Sequence, residues 1–286
     1  MRKGMNSWCL PADMALEQLF ETAKQAGFNS IELNMSEAKQ NASITTELGL
    51  ADNAILTVEA TTEQLNAIKK QSLDQELPIS SIATALHWTY PLTSPEPETR
   101  RKGIEIAKKM IDACSYLGGD TVLIVPGVVT ETSSYDTCYA LAQEALTELA
   151  AYAEPLGIVI GVENVWNKFL LSPLEMRRFL DEIGHPSIKA YFDAGNVLQF
   201  GYPEQWVRIL GERIAKVHIK DFRKDIGNIR GFTGLLGGDM EWEPLMEALR
   251  EIGYKGDIIC ELSPYKANPS QLAADASKAM DYIVSC

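Results

Sequence analysis

Eight short runs of β-forming residues alternate with eight longer amphipathic stretches from one end of the 286-residue chain to the other. Such alternation is the pattern of a parallel sheet whose strands are joined by crossover helices. The strands read as Gly4 to Leu10, Ser30 to Leu33, Ile79 to Ala85, Thr121 to Val125, Ile158 to Glu163, Lys189 to Asp193, Ala215 to Ile219 and Asp257 to Leu262. The helices read as Asp13 to Ala26, Thr62 to Gln75, Pro97 to Leu117, Asp136 to Leu156, Pro173 to Ile183, Pro203 to Leu210, Glu243 to Ile252 and Pro269 to Ile283.

Local punctuation supports these bounds. Ser172-Pro173 places proline at a first helical position, and Gly27, Gly157 and Gly253 stand just past helix ends, each leading into a strand. Val122 to Val125 and Ile158 to Ile160 carry apolar residues at successive positions, which fits a sheet buried on both faces. Eight such units favour a closed (β/α)8 TIM barrel of the α/β class over an open sheet. Residues 35–58 depart from the count, with a polar stretch and then an apolar run from Ala54 to Val58, and read as an excursion inserted after the second strand. With no interior Gly/Ser/Pro linker or charge block, residues 1–286 read as one domain.

Composition narrows the function. Lys plus Arg total 26 against 39 Asp plus Glu, a net charge of −13, so the phosphate-neutralising charge that drives nonspecific nucleic-acid binding is missing. Nucleic acid and anionic membrane are excluded as expected partners. The N-terminus turns polar at Asn6 and Ser7 without the apolar stretch of a secretory signal, and no window approaches a membrane span, so a cytoplasmic location is expected. Five scattered cysteines without a Cys-x-x-Cys pair read as reduced, mostly buried thiols.

In a (β/α)8 barrel the carboxyl ends of the strands ring the active site. Four consecutive strands end in residues capable of chemistry: Glu163 on the fifth, Asp193 on the sixth, His218 on the seventh and Glu261 on the eighth. Any one alone reads as a cap, an ion-pair partner or a hydrogen-bonded structural histidine, but that explanation must be invoked four times on adjacent strands. Three carboxylates and an imidazole converging in a barrel mouth repel and desolvate one another unless a cation neutralises them. The donor set suits a hard divalent ion, Mn²⁺, Co²⁺ or Mg²⁺, with Zn²⁺ also allowed.

The motifs Gly161-Val162-Glu163-Asn164, Tyr191-Phe192-Asp193-Ala194-Gly195-Asn196, Lys216-Val217-His218-Ile219-Lys220-Asp221 and Cys260-Glu261-Leu262 resemble those of the xylose-isomerase-like barrel superfamily of sugar and sugar-phosphate isomerases and epimerases. The resemblance extends to the opening strand with Asn6 and Trp8 and to Gly237-Gly238-Asp239-Met240-Glu241-Trp242, and within the superfamily it points toward the ketose 3-epimerases. It implies one divalent metal, manganese among the candidates, held by Glu163, Asp193, His218 and Glu261. It also implies that Glu163 and Glu261 double as an acid/base pair in a metal-dependent isomerase or epimerase of carbohydrate metabolism. Proton abstraction beside a carbonyl builds an enediolate, which a chelating cation stabilises, and two carboxylates on opposite faces then invert the carbon.

Two features depart from the psicose-type enzymes. Asn196 stands where a substrate-holding histidine follows the metal-binding aspartate by three residues, and Asn164 to Ser172 lacks an additional glutamate. The choice between a free ketose and a ketose phosphate therefore stays open. Lys220, Arg223 and Lys224 are the candidates for a cationic substrate contact after His218, and the loop Gly231 to Gly238 is a candidate phosphate cradle. His87 and Trp88 are expected to close the third strand and face substrate, as is Trp8 on the first. His185, on the opposite face, is given no catalytic role. Rival readings are an inosose-type dehydratase, an endonuclease IV-like DNA-repair enzyme, disfavoured by three histidines and the net charge of −13, and a non-catalytic sugar-binding barrel. The resemblance further implies homo-oligomers paired through top-face loops.

Overall fold

Every residue of Thr121–Ile124 is buried, as are four of the five in Val159–Glu163, so neither face of these strands meets water. A sheet of such strands must be covered outside by helices and filled inside by its own side chains. The computed structural model, which describes residues 1–37 and 55–286, has this arrangement. Its barrel strands are β1 (Arg2–Asn6), β2 (Ser30–Ser36), β3 (Ile79–Ala83), β4 (Thr121–Ile124), β5 (Val159–Glu163), β6 (Ile188–Asp193), β7 (Ile214–Ile219) and β8 (Asp257–Cys260). Each pairs in parallel with the next, and β8 returns to β1, where Met5 lies between Cys260 on one side and Ile31 on the other. The chain is one closed (β/α)8 barrel.

Around it run α1 (Leu16–Gln25), α2 (Thr62–Asp74), α3 (Pro97–Leu117), α4 (Tyr135–Ala153), α5 (Pro173–Ile183), α6 (Pro203–Leu210), α7 (Trp242–Glu251) and α8 (Gln271–Ser285). Proline at the first position of α3, α5 and α6 sets φ for the helix without forfeiting a needed N–H. Gly118 and Gly184 end α3 and α5 in the left-handed conformation, as helix C-caps require. The large apolar core lies between strands and helices. A second, small cluster of Ala83, Leu123, Val125, Tyr191 and Ile259 fills the lumen.

Three strands end two or more residues short of the sequence expectation, and each has a local cause. β1 stops at Asn6 because its side chain accepts the Trp8 N–H (2.7 Å), turning Ser7–Cys9 into a 3₁₀ turn. β3 stops at Ala83 because the Thr84 hydroxyl accepts the Leu86 N–H (3.1 Å) and starts a helical turn, Leu86–Thr89. β8 stops at Cys260, yet Glu261 stays alongside β7 through its N–H to the Ile219 carbonyl (3.1 Å).

The inserted excursion falls largely on residues 38–54, outside the described residues. At its edges Leu56–Thr57 pairs with Met35 and Ser36 at the end of β2. Of the cysteines, Cys9, Cys114, Cys138 and Cys260 are buried free thiols and Cys286 is partly exposed. Among the described residues no helix is long and apolar enough to cross a membrane.

Candidate metal centre and active-site cavity

The carboxyl ends of β5 to β8 bring Glu163, Asp193, His218 and Glu261 together, with one donor atom from each lying within 4.8 Å of all the others. Asp193 and His218 are fully buried, and the Glu163 and Glu261 side chains are only 7% and 10% exposed. His218 presents Nδ1 to this group, 3.7 Å from Glu163 Oε1, 3.9 Å from Asp193 Oδ2 and 3.8 Å from Glu261 Oε2. That nitrogen is buried and has no hydrogen-bond partner among the described residues.

What aims it is the ring's other nitrogen. Nε2 lies 2.6 Å from Glu32 Oε1, and Glu32 is itself wholly buried in β2. Glu32 also accepts from Asn6 Nδ2 (2.6 Å) and Ser81 Oγ (2.7 Å), and from the Tyr191 hydroxyl. The Tyr191 ring meets the imidazole edge-on at 4.6 Å. Strand register shifts at Ile31/Glu32 and at Ala190/Tyr191, and such irregularities re-aim side chains. Sequence reasoning missed Glu32, although an acidic residue amid the buried Ile31 and Leu33 was a signal that something must compensate it.

Asp193 is braced from its own strand end. The Asn196 N–H donates to Oδ1 (2.8 Å), and Asn164 clasps the Asp193 backbone in both directions (2.8 and 2.9 Å). Asn196 Nδ2 donates in turn to the Asn164 carbonyl (3.0 Å). Gly195 is required because a Cβ there would lie 2.4 Å from Lys220 Cγ and 2.8 Å from the Lys220 carbonyl. Lys220 Nζ, thus positioned, binds Asp193 Oδ2 (2.5 Å) and Glu261 Oε2.

Electrostatics follow from burial and crowding. Burial, reinforced by the charges of Glu261 and Asp193, pushes the Glu163 carboxyl up to about 7 against the pull of His218. Burial likewise raises Asp193, and Lys220 only partly offsets it. At Glu261 burial is outweighed by Lys220 and His218, which hold the carboxyl below its ordinary value. At His218 burial opposes the charge, but Glu32 and Glu261 overcome it and raise the imidazole. Four carboxylates here face only two cationic groups, His218 and Lys220, so anionic charge is in excess. An unpartnered imidazole nitrogen amid three carboxylates under mutual repulsion fits a divalent cation with hard oxygen ligands.

Above this cluster opens a cavity of about 700 Å³. Glu163, Glu261 and Lys220 line its floor side, and Trp8, Trp88 and Asn196 also line it. Four of the residues expected to touch substrate thus share one cavity, and the other three lie elsewhere. His87 does not line it: the Leu86–Thr89 turn directs the ring toward α3, where Nε2 lies 3.4 Å from the Gly103 carbonyl and burial lowers the imidazole to about 4. Arg223 and Lys224 also fall outside. Asp221–Phe222 pairs antiparallel with Phe232–Thr233, and the ribbon carries the intervening residues outward, where Arg223 pairs with Asp225 (3.2 Å). The same ribbon returns Arg230 to the cavity, and Lys266 joins it from the loop after β8, both unforeseen from the sequence. The far end of the Gly231–Gly238 loop is filled by the protein's own Asp221, whose Oδ1 takes the N–H groups of Phe222 (2.8 Å) and Met240 (3.1 Å). His185 lies apart, accepting the Ser187 N–H (3.2 Å).

The chain has relatives in sequence and in fold. The L-ribulose-5-phosphate 3-epimerase UlaE of Salmonella heidelberg is 22% identical over 282 residues, covering 98% of this chain and 93% of its own. Among solved structures, D-psicose 3-epimerase from Clostridium cellulolyticum, crystallised with D-tagatose, superposes with a TM-score of 0.78 at 16% identity over the whole of both chains. The 3-keto-D-glucoside 4-epimerase YcjR of E. coli does so with a TM-score of 0.74, also at 16% identity over both whole chains. Residues 20–285 match the profile of the xylose isomerase-like TIM barrels, and the chain belongs to that family.

Proposed function

We propose that this protein is a divalent-metal-dependent epimerase or isomerase of a ketose or ketose phosphate, with Glu163 and Glu261 as its acid/base pair. One observation carries the reading: three carboxylates and the unpartnered Nδ1 of a buried histidine meet at the floor of a cavity large enough for a sugar. The curated and structural relatives bearing sugar-epimerase names support it.

Glu163, Asp193, His218 and Glu261 would hold the metal, and a bound cation supplies stabilisation of the negative charge that develops on the carbonyl oxygen and its neighbour during proton abstraction. Everything else falls to side chains of this chain. Glu163 and Glu261 approach the cavity from strands three places apart in the barrel, one removing a proton from the carbon beside the carbonyl and the other returning one to the opposite face. Lys220, between Asp193 and Glu261, offsets part of the local negative charge. Trp8 and Trp88 offer aromatic planes to the C–H faces of a sugar and exclude water from the floor.

Incubating the protein with Mn²⁺, Co²⁺ or Mg²⁺ and a panel of ketoses and ketose phosphates in D₂O, then locating deuterium by NMR, tests the reading. The expected result is deuterium at the carbon next to the carbonyl in a product of unchanged composition. Loss of water would instead identify a dehydratase, and binding without exchange a non-catalytic barrel.

A further inference from the structure

The cavity that rises from the acidic floor is also lined by two exposed cations. Arg230 lies on the ribbon after β7, and Lys266 lies in the loop after β8. The side chains of both are exposed, and neither has a hydrogen-bond or ion-pair partner among the described residues. Several surface cations are engaged by carboxylates, as Arg208, Arg213 and Lys108 are. Of the three cations that line the cavity, Lys220 is engaged by Asp193 and Glu261, whereas Arg230 and Lys266 have no carboxylate among the described residues and face the cavity available to a ligand.

The ribbon holding Arg230 is not a loose loop. Phe222 and Phe232 stack across it edge-on at 5.1 Å, and Trp166 packs on both rings at 5.5 and 5.2 Å. Gly231 lets the chain pass over Phe222, whose ring atoms would lie 2.6 Å from a Cβ. The Asn228 side chain caps the Arg230 N–H at 3.0 Å. Lys220, whose ammonium sits 5.2 Å over the Phe232 ring, ties this ribbon to the acidic floor. Arg230 is therefore mounted on a packed element, as a recognition residue must be. Nearby Gly234 leaves open space where a side chain would stand, so the wall beside Arg230 has room for a ligand group. The loops after strands seven and eight are also where (β/α)8 barrels most often bind phosphate.

Resting on the epimerase reading, we infer that the substrate is a ketose phosphate whose phosphate group is held by Arg230 and Lys266, while its carbonyl end lies over Glu163 and Glu261. The charges lining the cavity divide the work. Excess carboxylate at the floor repels a phosphate, and the two exposed cations attract one, so the sugar enters in a single orientation. Arg223 and Lys224, directed outward, take no part.

The test uses the whole metal-loaded protein and two probes, L-ribulose 5-phosphate and L-ribulose, with affinity read by calorimetry and deuterium exchange read separately by NMR. The parent should bind the phosphate ester at least tenfold more tightly than the free sugar. Arg230→Met and Lys266→Met should each cut that preference about tenfold, the lower end for a charge-assisted hydrogen bond because both groups are exposed. Arg230→Lys should restore part of it. Unchanged melting temperatures would show that the exposed substitutions leave the fold intact. A parent that binds both probes equally, or variants that keep the full preference, would overturn the inference while leaving epimerisation of a free ketose standing. Phosphate-dependent binding without any deuterium exchange would overturn the epimerase reading and leave the anion site in place.

Discussion

Replacing Glu32 with Gln keeps side-chain size but removes the charge behind His218. The carboxylate accepts from His218, Asn6, Ser81 and Tyr191, two through each oxygen, and the side chain is fully buried. A glutamine can still accept at one oxygen, but its amide then faces the Ser81 and Tyr191 hydroxyls, which must turn from donating to accepting. The imidazole loses the charge that fixes its tautomer and raises its basicity, and such partners of a metal-binding histidine are typically worth ten- to a hundredfold in metal affinity, about 1.4–2.7 kcal/mol. Titrating Mn²⁺ or Co²⁺ into parent and Glu32→Gln protein by calorimetry should show a loss in this range. The melting temperature of each metal-free protein, measured in chelator, separates a weakened site from a weakened fold. A dissociation constant within about threefold of the parent's would refute the reasoning, because it would mean that Glu32 merely fills the lumen.

Glu163→Gln and Glu261→Gln should each lose turnover by at least about a hundredfold, the lower end of what a positioned acid or base supplies, while metal binding falls less. Steady-state rates and metal titration check both, and a variant that epimerises at nearly the parent rate would eliminate the two-base scheme. His87, held neutral by burial with its pKa lowered to about 4, should make the fold lose stability as pH falls from about 6.5 toward 4, by at most about 3 kcal/mol. His87→Leu should flatten that part of the urea-unfolding profile and leave KM alone, and a raised KM would return His87 to the substrate site. At the other end of the barrel Asp257 is buried against Lys216 Nζ (3.0 Å), Arg2 Nη2 (2.7 Å) and Ser30 Oγ (2.9 Å). Burial alone would raise its carboxyl, but Lys216 and Arg2 overcome that and hold it below the ordinary value, so its stabilisation is present above about pH 3.9 and is lost as pH falls toward the lowered value. Lys216→Met should cost about 3 kcal/mol by denaturant unfolding at pH 7, since Arg2 and Ser30 still face the stranded carboxylate. A cost below about 1 kcal/mol would show that the triad is not the clamp its burial implies.

Most of the barrel was legible along the chain because its determinants are local. Apolar runs buried on both faces, proline at helix starts and glycine at helix ends are set by neighbours a few residues away, and α3, α5 and α6 begin and end where the sequence places them. The four metal-ligand candidates could be named from position alone, because a barrel delivers the carboxyl end of every strand to one rim whatever the details of packing. Other features depended on contacts between residues distant in sequence. Glu32 became His218's partner across 186 positions, through two shifts of strand register that no local pattern announces. His87 and Trp88 are adjacent in sequence, yet one hydrogen bond from the Leu86 N–H to the Thr84 hydroxyl wound them into a helical turn that sends the first toward α3 and the second toward the cavity. Which cations face the cavity was likewise a tertiary matter. Arg223 and Arg230 differ little as residues, and only the antiparallel ribbon packed under Trp166 turns one outward and the other in. Spacing along a strand determines which residues reach the rim, whereas the direction a side chain then takes is set by packing against elements far away in the sequence.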